Sequence, residues 1–434
     1  MNPLAQELNS QLKGTVADRF LSPMGRRLYF PKGIIAQSAE AKKSAGKANA
    51  TIGTAYSKGN PMILSAIRES LPALTVEQIV AYAPTAGVEQ LRKDWQTQIL
   101  KKNPSLAQEK ISLPVVTQGL TNGIAIIADL FVEEGTVMIA SEPCWDNYTL
   151  AFEERREGTL KAVPFLGKGG SGLNLEAIRE AVREEAKKGQ VRVILNFPNN
   201  PAGYSPTISE AEALKKIFLE AAEGGADVLV ICDDAYFGLF YEDNIFNESI
   251  FSLLADLHER IFAVKIDGPI KEHFTWGLRV GFVTFGSRGL NAAHYNALAT
   301  KLMGAIRSSI SCVNTPAQYM VIKALADERT PGEKARYQEL MKKRYVQIKD
   351  FIAKNPNHPA LTPYAFNSGY FMSFECKGLS AEALRVKLLS GYGIGVISLG
   401  DKCLRVAFSS LEEEQISMVY KTIYDCAAEM AGKS

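Results

Sequence analysis

Histidine is scarce in this chain: His258, His273, His294 and His358 are the four among 434 residues, and no pair has the spacing that sets two imidazoles on one metal ion. The six cysteines (Cys144, Cys232, Cys312, Cys376, Cys403 and Cys426) lie far apart, mostly within apolar runs and with no C-x-x-C. A zinc site is not expected, and the thiols read as small reduced hydrophobes of a reducing compartment. Net charge is equally short. Lys+Arg at 49 against Asp+Glu at 47 leaves +2, which removes the electrostatic ground for expecting nucleic acid or an acidic membrane as partner. The charge-free stretch Ile111 to Ala128 is broken by Pro114, Gln118, Gly119, Asn122 and Gly123 and makes a poor membrane span. The start, Met1 to Lys13, carries Gln6, Glu7, Asn9, Ser10 and Gln11 where a signal peptide needs a continuous apolar segment. A soluble cytoplasmic protein with a small-molecule task is the expectation.

What is present is a globular composition, 46% hydrophobic and 22% charged, over a length that suits two or three compact units. From Val115 onward short apolar, β-branched runs alternate with longer amphipathic stretches, the pattern of parallel strands joined by crossover helices. The candidate strands are Val115 to Thr117, Thr136 to Ala140, Val191 to Asn196, Val228 to Cys232, Ile261 to Lys265 and Val280 to Phe285. Between them, Gly123 to Val132 and Ser209 to Ala222 have one apolar face at helical spacing. Beyond about Ser311 the texture changes to long helical segments, Thr315 to Leu325 and Gly332 to Ala353, then short strands around Tyr370 to Phe374 and Leu404 to Phe408. The segment Ala39 to Ala50, rich in Ala and Lys, reads as a mobile arm or exposed helix. The expected class is α/β: a three-layer large domain with a mostly parallel sheet, plus a smaller α+β domain.

In open α/β sheets ligands gather at the carboxyl ends of the strands. After Thr117 come Gln118, Gly119, Leu120, Thr121, Asn122 and Gly123, then a helix, a glycine and hydroxyl turn that suits a phosphate at a helix N-terminus. Ordinary turn and cap chemistry explains it equally well, and this turn lacks a G-x-G-x-x-G fingerprint, which counts against a dinucleotide site here. After Ala140, Trp145 and Tyr148 put flat rings near a strand end, either over a flat ligand or in an interdomain seam. After Asn196 comes Phe-Pro-Asn-Asn-Pro-Ala-Gly, residues 197 to 203, a rigid turn fixing Asn200. After Cys232 come Asp233, Asp234, Ala235 and Tyr236; a carboxylate at a buried strand end needs a partner, so a cation is expected against Asp233, unless it caps a helix. Last, Lys271 sits in a turn bounded by Gly268 and Pro269, followed eight positions later by Arg279, which leads into Val280 and Gly281.

This ordered set (N-N-P-A-G, D-D-A-Y, the lysine and arginine of Lys271 to Gly281, and Leu404-Arg405-Val406-Ala407-Phe408-Ser409) resembles the fold type I pyridoxal-phosphate enzymes, and within them the class I/II aminotransferases related to aspartate aminotransferase. The resemblance covers roughly Thr51 to Ser410. It implies that Lys271 forms the imine with the aldehyde of pyridoxal 5'-phosphate and shuttles the proton between substrate and cofactor. It implies Asp233 against the pyridine nitrogen, Tyr236 and Asn200 on the ring hydroxyl oxygen, and Trp145 stacked on the ring. Gly119, Leu120, Thr121 and Arg279 would form the phosphate cup, Arg405 would take the substrate α-carboxylate as a bidentate pair, and Asn200 with the backbone of Gly53 would support it. Tyr82 would reach the phosphate of a neighbouring subunit, making a homodimer with shared sites. Arg307 falls where aspartate-specific relatives hold a distal carboxylate from the partner, although other substrates remain compatible with it.

Departures from that pattern are Gly268, where the family usually has a serine, and Ile270, Glu272 and His273 around the lysine. Lys265 is a competing lysine, but its distance to Arg279 is wrong and it lies within a strand pattern. The expected organisation is a large cofactor-binding domain at 54–312 and a small discontinuous domain of 1–53 with 313–434. The expected activity is exchange of an amino group between an L-amino acid and a 2-oxo acid by a ping-pong mechanism. A C–S lyase or other elimination enzyme of the same fold is the rival. A ligand-sensing regulator is disfavoured by the lack of a basic recognition helix, and a nicotinamide dehydrogenase by the lack of a glycine fingerprint in the turn after the first candidate strand.

Overall fold

A computed structural model of the chain describes residues 1–13, 34–167 and 172–432, together with Pro23 and Arg27; parts of the expected 1–53 and 313–434 segments lie outside these. Helices α1 (Pro3–Leu12), α2 (Ile34–Ser44) and α3 (Glu89–Lys102) precede a seven-stranded sheet. Its strands are β1 (Val115–Thr117), β2 (Val137–Ser141), β3 (Thr159–Val163), β4 (Gln190–Asn196), β5 (Asp227–Asp233), β6 (Ile261–Asp267) and β7 (Gly281–Gly286), in the spatial order β1-β7-β6-β5-β4-β2-β3. All neighbours are parallel except β7, which runs antiparallel to both β1 and β6. The sheet is therefore mostly parallel, as the alternating pattern predicts.

The strands are near-continuous apolar runs because both faces are covered. Ile194, Ile231, Val264 and Val283 pack on one face against Ile124 and Ile127 of α4 (Gly119–Phe131). Val193, Val230, Ala263 and Phe282 pack on the other against Ile178 of α5 (Leu175–Ala186) and Leu214 and Phe218 of α6 (Ile208–Glu223). This is the period-two alternation of a pleated sheet, and each such aliphatic or aromatic side chain contributes about 1.5–3 kcal/mol on burial. The α6 N-terminus is set by a capping box between Thr207 and Glu210. Strand β3 had no counterpart in the sequence reading; it is an edge strand whose Thr159 is exposed and Lys161 only partly covered, so it carries no apolar run.

Helix α7 (Ala292–Ser309) leads to α8 (Thr315–Ala326) and the 25-residue α9 (Thr330–Lys354). A second, antiparallel sheet follows, with β8 (Leu361–Pro363), β9 (Phe371–Cys376), β10 (Ile397–Leu399) and β11 (Cys403–Ala407) in the order β8-β9-β11-β10. It packs with α10 (Ala381–Tyr392) and α11 (Glu413–Ala431) around a separate core that includes Leu384, Leu388, Ile416 and Tyr420.

Two expectations are corrected here. Of the two readings of residues 39–50 the arm fails and the exposed helix holds as far as Ser44, with Glu40, Lys42 and Lys43 exposed; but Ala41, Ala48 and Ala50 are buried, Ala48 and Asn49 pair in parallel with Ile394 and Gly395, and the Gln37 side chain brackets the backbone of Ser398. Small alanines let α2 lie close to the second sheet, which composition alone read as having little to bury. Helix α4 begins at Gly119, not Gly123, so Leu120 and Thr121 belong to its first turn; Asn122 Oδ1 accepts from the Gln118 amide at 3.1 Å at this start. Among the described residues no helix is long and apolar enough to cross a membrane.

Candidate active site

The carboxyl ends of β4 and β5, the starts of α4 and β7, and strands β9 and β11 of the second sheet enclose one cavity of about 240 Å³. It is lined by Gly53, Leu120, Thr121, Trp145, Asn200, Asp233, Tyr236, Ile270, Lys271, Trp276, Phe371, Arg279 and Arg405, among others. Eleven of the thirteen residues singled out from the sequence thus meet at one place or lie on its wall, counting Gly119 behind Arg279.

One end is built for an anion. Gly119 has φ +74°, a conformation that favours glycine, and a Cβ there would lie 2.6 Å from an Arg279 guanidinium nitrogen. The guanidinium therefore rests on the first turn of α4, whose unpaired N–H groups share its polarity. Arg279 itself holds φ +53° at the entry to β7, and one of its guanidinium nitrogens donates to the Trp276 carbonyl at 3.4 Å. At Gly268 a Cβ would come within 2.8 Å of the Val280 carbonyl oxygen and 3.1 Å of the Gly281 Cα. The serine expected from the family pattern has no room there; backbone contact takes its place.

At the middle of the cavity stand Lys271 and Asp233. Lys271 Nζ donates to the Gly53 carbonyl at 3.2 Å and lies 5.0 Å from the Tyr236 ring centre. Burial, reinforced by the nearby Arg279 and Arg405 charges, pushes its pKa down to about 7, so much of it is free amine at neutral pH. Asp233 is 3% exposed, and burial raises its pKa to about 6 against the opposing hydrogen bond from Tyr148. The Tyr148 hydroxyl donates to Asp233 Oδ2 at 2.6 Å and the Ala235 amide to Oδ1 at 3.3 Å. The expected cation is not there: among the described residues no lysine or arginine makes an ion pair with Asp233. Its neighbour Asp234 instead takes Lys265 and the Ser249 hydroxyl. Lys265, which also faces Asp267 at 3.4 Å, is thereby fully buried and paired outside the cavity, and the competing lysine is removed.

The far end is held by Arg405. It is 2% exposed, donates to Asn200 Oδ1 at 2.8 Å and to the Thr51 carbonyl at 3.0 Å, and sits 4.3 Å over the Phe371 ring. Its Nε has no partner. The backbone support expected from Gly53 comes from Thr51, two residues earlier, while the Gly53 carbonyl serves Lys271. Gly53 itself is needed for closeness, because a Cβ there would meet Phe371 at 2.9 Å and the Tyr236 hydroxyl at 3.3 Å.

Tyr82 and Arg307 stay outside. Tyr82 is 91% exposed, and Arg307, exposed in the last turn of α7, donates to the Ser311 hydroxyl. Two contributors had no role in the sequence reading, Phe371 and Tyr370, whose hydroxyl donates to the Lys271 carbonyl at 2.9 Å, and Tyr148, read only as a flat ring near a strand end, serves Asp233 through its hydroxyl. The one sequence signal for Tyr148 is its place three residues after Trp145, directly before the π-helical turn Thr149–Glu154 that replaces a regular helix start.

Comparison with known proteins gives a consistent answer. The sequence pattern of the family described as "Aminotransferase class I and II" matches residues 53–423. A probable aspartate/prephenate aminotransferase of Aquifex aeolicus is 27% identical over 300 residues, 68% of this chain and 69% of that protein. An aspartate aminotransferase of Geobacillus stearothermophilus is 25% identical over 327 residues, 72% of this chain and 76% of that one. Among solved structures, an aminotransferase from Anaerococcus prevotii superposes with a TM-score of 0.81 at 22% identity, covering 92% of this chain and 98% of its own, a likeness that speaks to fold alone.

Proposed function

The chain belongs to the aminotransferase class I and II family and is an aminotransferase; from that premise we propose that it binds pyridoxal 5'-phosphate in this cavity and moves an amino group between an L-amino acid and a 2-oxo acid. The observation that carries the reading is the convergence on one cavity of three groups that make no ion pair among the described residues: Lys271, Asp233, and Arg405 with an unpartnered Nε. Each lacks the partner that one cofactor and one amino acid would supply, and the absence of a Cβ at Gly119 lets the Arg279 guanidinium lie against the start of α4, where a phosphate would meet both. When bound, the cofactor supplies an aldehyde for an amine and a ring that takes up electrons from the substrate carbon.

The residues then divide the work. Arg279 and the amides of Gly119, Leu120 and Thr121, with the Thr121 hydroxyl, hold the phosphate. Asp233, ionised above about pH 6, keeps the proton on the ring nitrogen, and Tyr148 steadies that carboxylate. Tyr236 and Asn200 would hold the ring oxygen, and Trp145 would cover the ring. Arg405 grips the α-carboxylate, and Lys271, whose amine is available near neutral pH, carries the proton to and from the α-carbon. Elimination is not favoured, since the named relatives are aminotransferases.

We further propose a homodimer in which Tyr82 reaches the partner's phosphate; support comes from the exposed Leu71, Val76, Ile79 and Val80 that lead up to it. Arg307, exposed in the last turn of α7, is the residue proposed to meet a distal carboxylate across the dimer. The division into 54–312 and 1–53 with 313–434 is supported by the two sheets, with short exchanges at the seams: Leu64 and Ile67 join the C-terminal core, Ala317 and Val321 the central one. Six unpaired cysteines support a reducing, cytoplasmic setting.

Reconstitution with pyridoxal phosphate tests the reading. The loaded protein should absorb in the visible, respond to L-amino acids, and need a 2-oxo acid for turnover, whereas Lys271→Ala should do none of these. Pyruvate and ammonia released without an acceptor would point to elimination instead.

A further inference from the structure

Next to Lys271 in sequence stands Glu272, which does not line the cavity. Its side chain retains 7% of its exposure and is gripped from two sides: Lys102 Nζ donates to Oε2 at 2.7 Å and Lys334 Nζ to Oε1 at 2.7 Å. Lys102 is the last residue of α3, and Lys334 lies near the start of α9. His273 is buried against the same group, with Nδ1 3.8 Å from Glu272 Oε2 and Nε2 3.3 Å from Lys334 Nζ. Burial and the Lys334 charge hold His273 down to about 3, so it stays neutral and the cluster is two cations on one carboxylate. The surrounding wall is shaped to this carboxylate, since a Cβ at Gly238, φ +89°, would lie 3.1 Å from its Cδ.

Removing charges from water costs about as much as their attraction returns, so stability alone does not account for a buried triad beside the reactive lysine. Its connections suggest what it does. The turn that presents Lys271 is closed by the His273 amide on the Pro269 carbonyl at 3.0 Å and the Thr275 amide on the Ile270 carbonyl at 3.1 Å. Glu272 is the point where this turn is tied to α3 and α9. Further along, α9 carries the buried Arg344, which donates to the Ser409 carbonyl at 2.6 Å, just beyond the end of the strand bearing Arg405. One helix thus touches both the turn of Lys271 and the turn that follows the strand of Arg405.

We propose that Glu272 is a positioning residue for Lys271: clamped between Lys102 and Lys334, it fixes the turn that presents the amine and registers that amine against Arg405 through α9. The inference rests on the reading of Lys271 given above. It is tested on the full chain loaded with pyridoxal phosphate, as wild type, Glu272→Gln, Lys334→Gln, Lys334→Arg and Lys271→Ala. Lys334→Gln leaves Glu272 paired with Lys102, so it carries the test if Glu272→Gln, which strands two ammonium groups, does not fold.

In Lys334→Gln the rate of the visible absorbance change at saturating amino acid should fall about tenfold while KM stays within about twofold, and Lys334→Arg should restore the rate. The pH midpoint of the visible absorbance, read without turnover, should move in Lys334→Gln and return in Lys334→Arg. A lower melting temperature with rate and midpoint unchanged would make the triad a structural tie only and overturn the proposal. Visible absorbance retained in Lys271→Ala would overturn the Lys271 reading and the inference with it. Loss there, with Glu272→Gln and Lys334→Gln both matching wild type, would overturn the positioning role alone.

Discussion

Tyr148→Phe is the sharpest probe of how the carboxylate at the end of β5 keeps its charge. The Tyr148 hydroxyl, in a residue only 2% exposed, gives Asp233 a 2.6 Å hydrogen bond that no solvent water stands ready to replace. A hydrogen bond to a charged acceptor is worth about 1.5–3 kcal/mol, which is about one to two pH units. Asp233 already titrates at about 6 because burial disfavours its anion; without the hydroxyl it should titrate between about 7 and 8. The ionised form is the one that holds a cationic ring, so the variant should bind pyridoxal phosphate about tenfold more weakly near pH 7 and recover most of the loss near pH 9. Quenching of the Trp145 and Trp276 emission on adding cofactor to the cofactor-free protein, repeated from about pH 6 to about pH 9, reads this directly. A profile that does not move, with affinity within about twofold of wild type at every pH, would refute the assignment of Tyr148 as the group that sets the Asp233 charge.

Asp233→Asn should stabilise the cofactor-free chain while abolishing turnover. The wild-type carboxyl is raised from its ordinary 3.8 to about 6, so its contribution to stability is fully present below 3.8 and is lost as pH rises through 6. The asparagine variant should therefore gain about 2–3 kcal/mol at neutral pH and nothing near pH 4, measured by urea unfolding. Gly268→Ser, which restores the residue the family pattern usually holds, should weaken cofactor binding and lower the melting temperature, because its Cβ meets the Val280 carbonyl at 2.8 Å and overpacking costs about 1–3 kcal/mol; tighter binding would show that the turn yields. Arg405→Ala strips the donors from Asn200 Oδ1 and the Thr51 carbonyl and should raise KM for every amino acid, by about thirtyfold or more. Arg307→Ala should hurt acidic substrates only; equal losses for neutral and acidic ones would remove the distal-carboxylate role.

The parts of the site that are contiguous in sequence were legible there. Gly119 to Thr121, Asn200, Asp233 to Tyr236 and Lys271 to Arg279 each follow a run of apolar residues, and period-two burial makes such runs visible. What escaped was set by approach between distant segments. Tyr148 meets Asp233 from 85 residues away, and Thr51 meets Arg405 across 354; neither pairing leaves a local pattern. Strand β3 escaped because an edge position does not require apolar residues on both faces. In the segment 39–50 an exposed helix was legible but the burial of Ala41, Ala48 and Ala50 was not, because alanine signals nothing about whether a neighbour lies close, and here the second sheet does. The family pattern supplied the lysine and both arginines, but Glu272 appeared in it only as an irregularity, and its two lysines come from helices before and after the central sheet.

The hold of Thr51 on Arg405 and of Gly53 on Lys271 also has a consequence in time. During synthesis the early segment that carries both carbonyls is made long before its partners: Gln37 waits for Ser398, 361 residues later, and Ala48 for Ile394. At about 5–20 residues per second that interval is roughly 20 to 70 seconds, and closing a loop of this length costs about 5 kcal/mol in chain entropy. The central sheet can form meanwhile, yet it holds Lys271 and Asp233 with no Arg405 opposite them. A nascent chain therefore carries Lys271 and Asp233 before it has the Arg405 that grips a substrate carboxylate, and the pocket closes only when the segment of Thr51 and Gly53 packs against both.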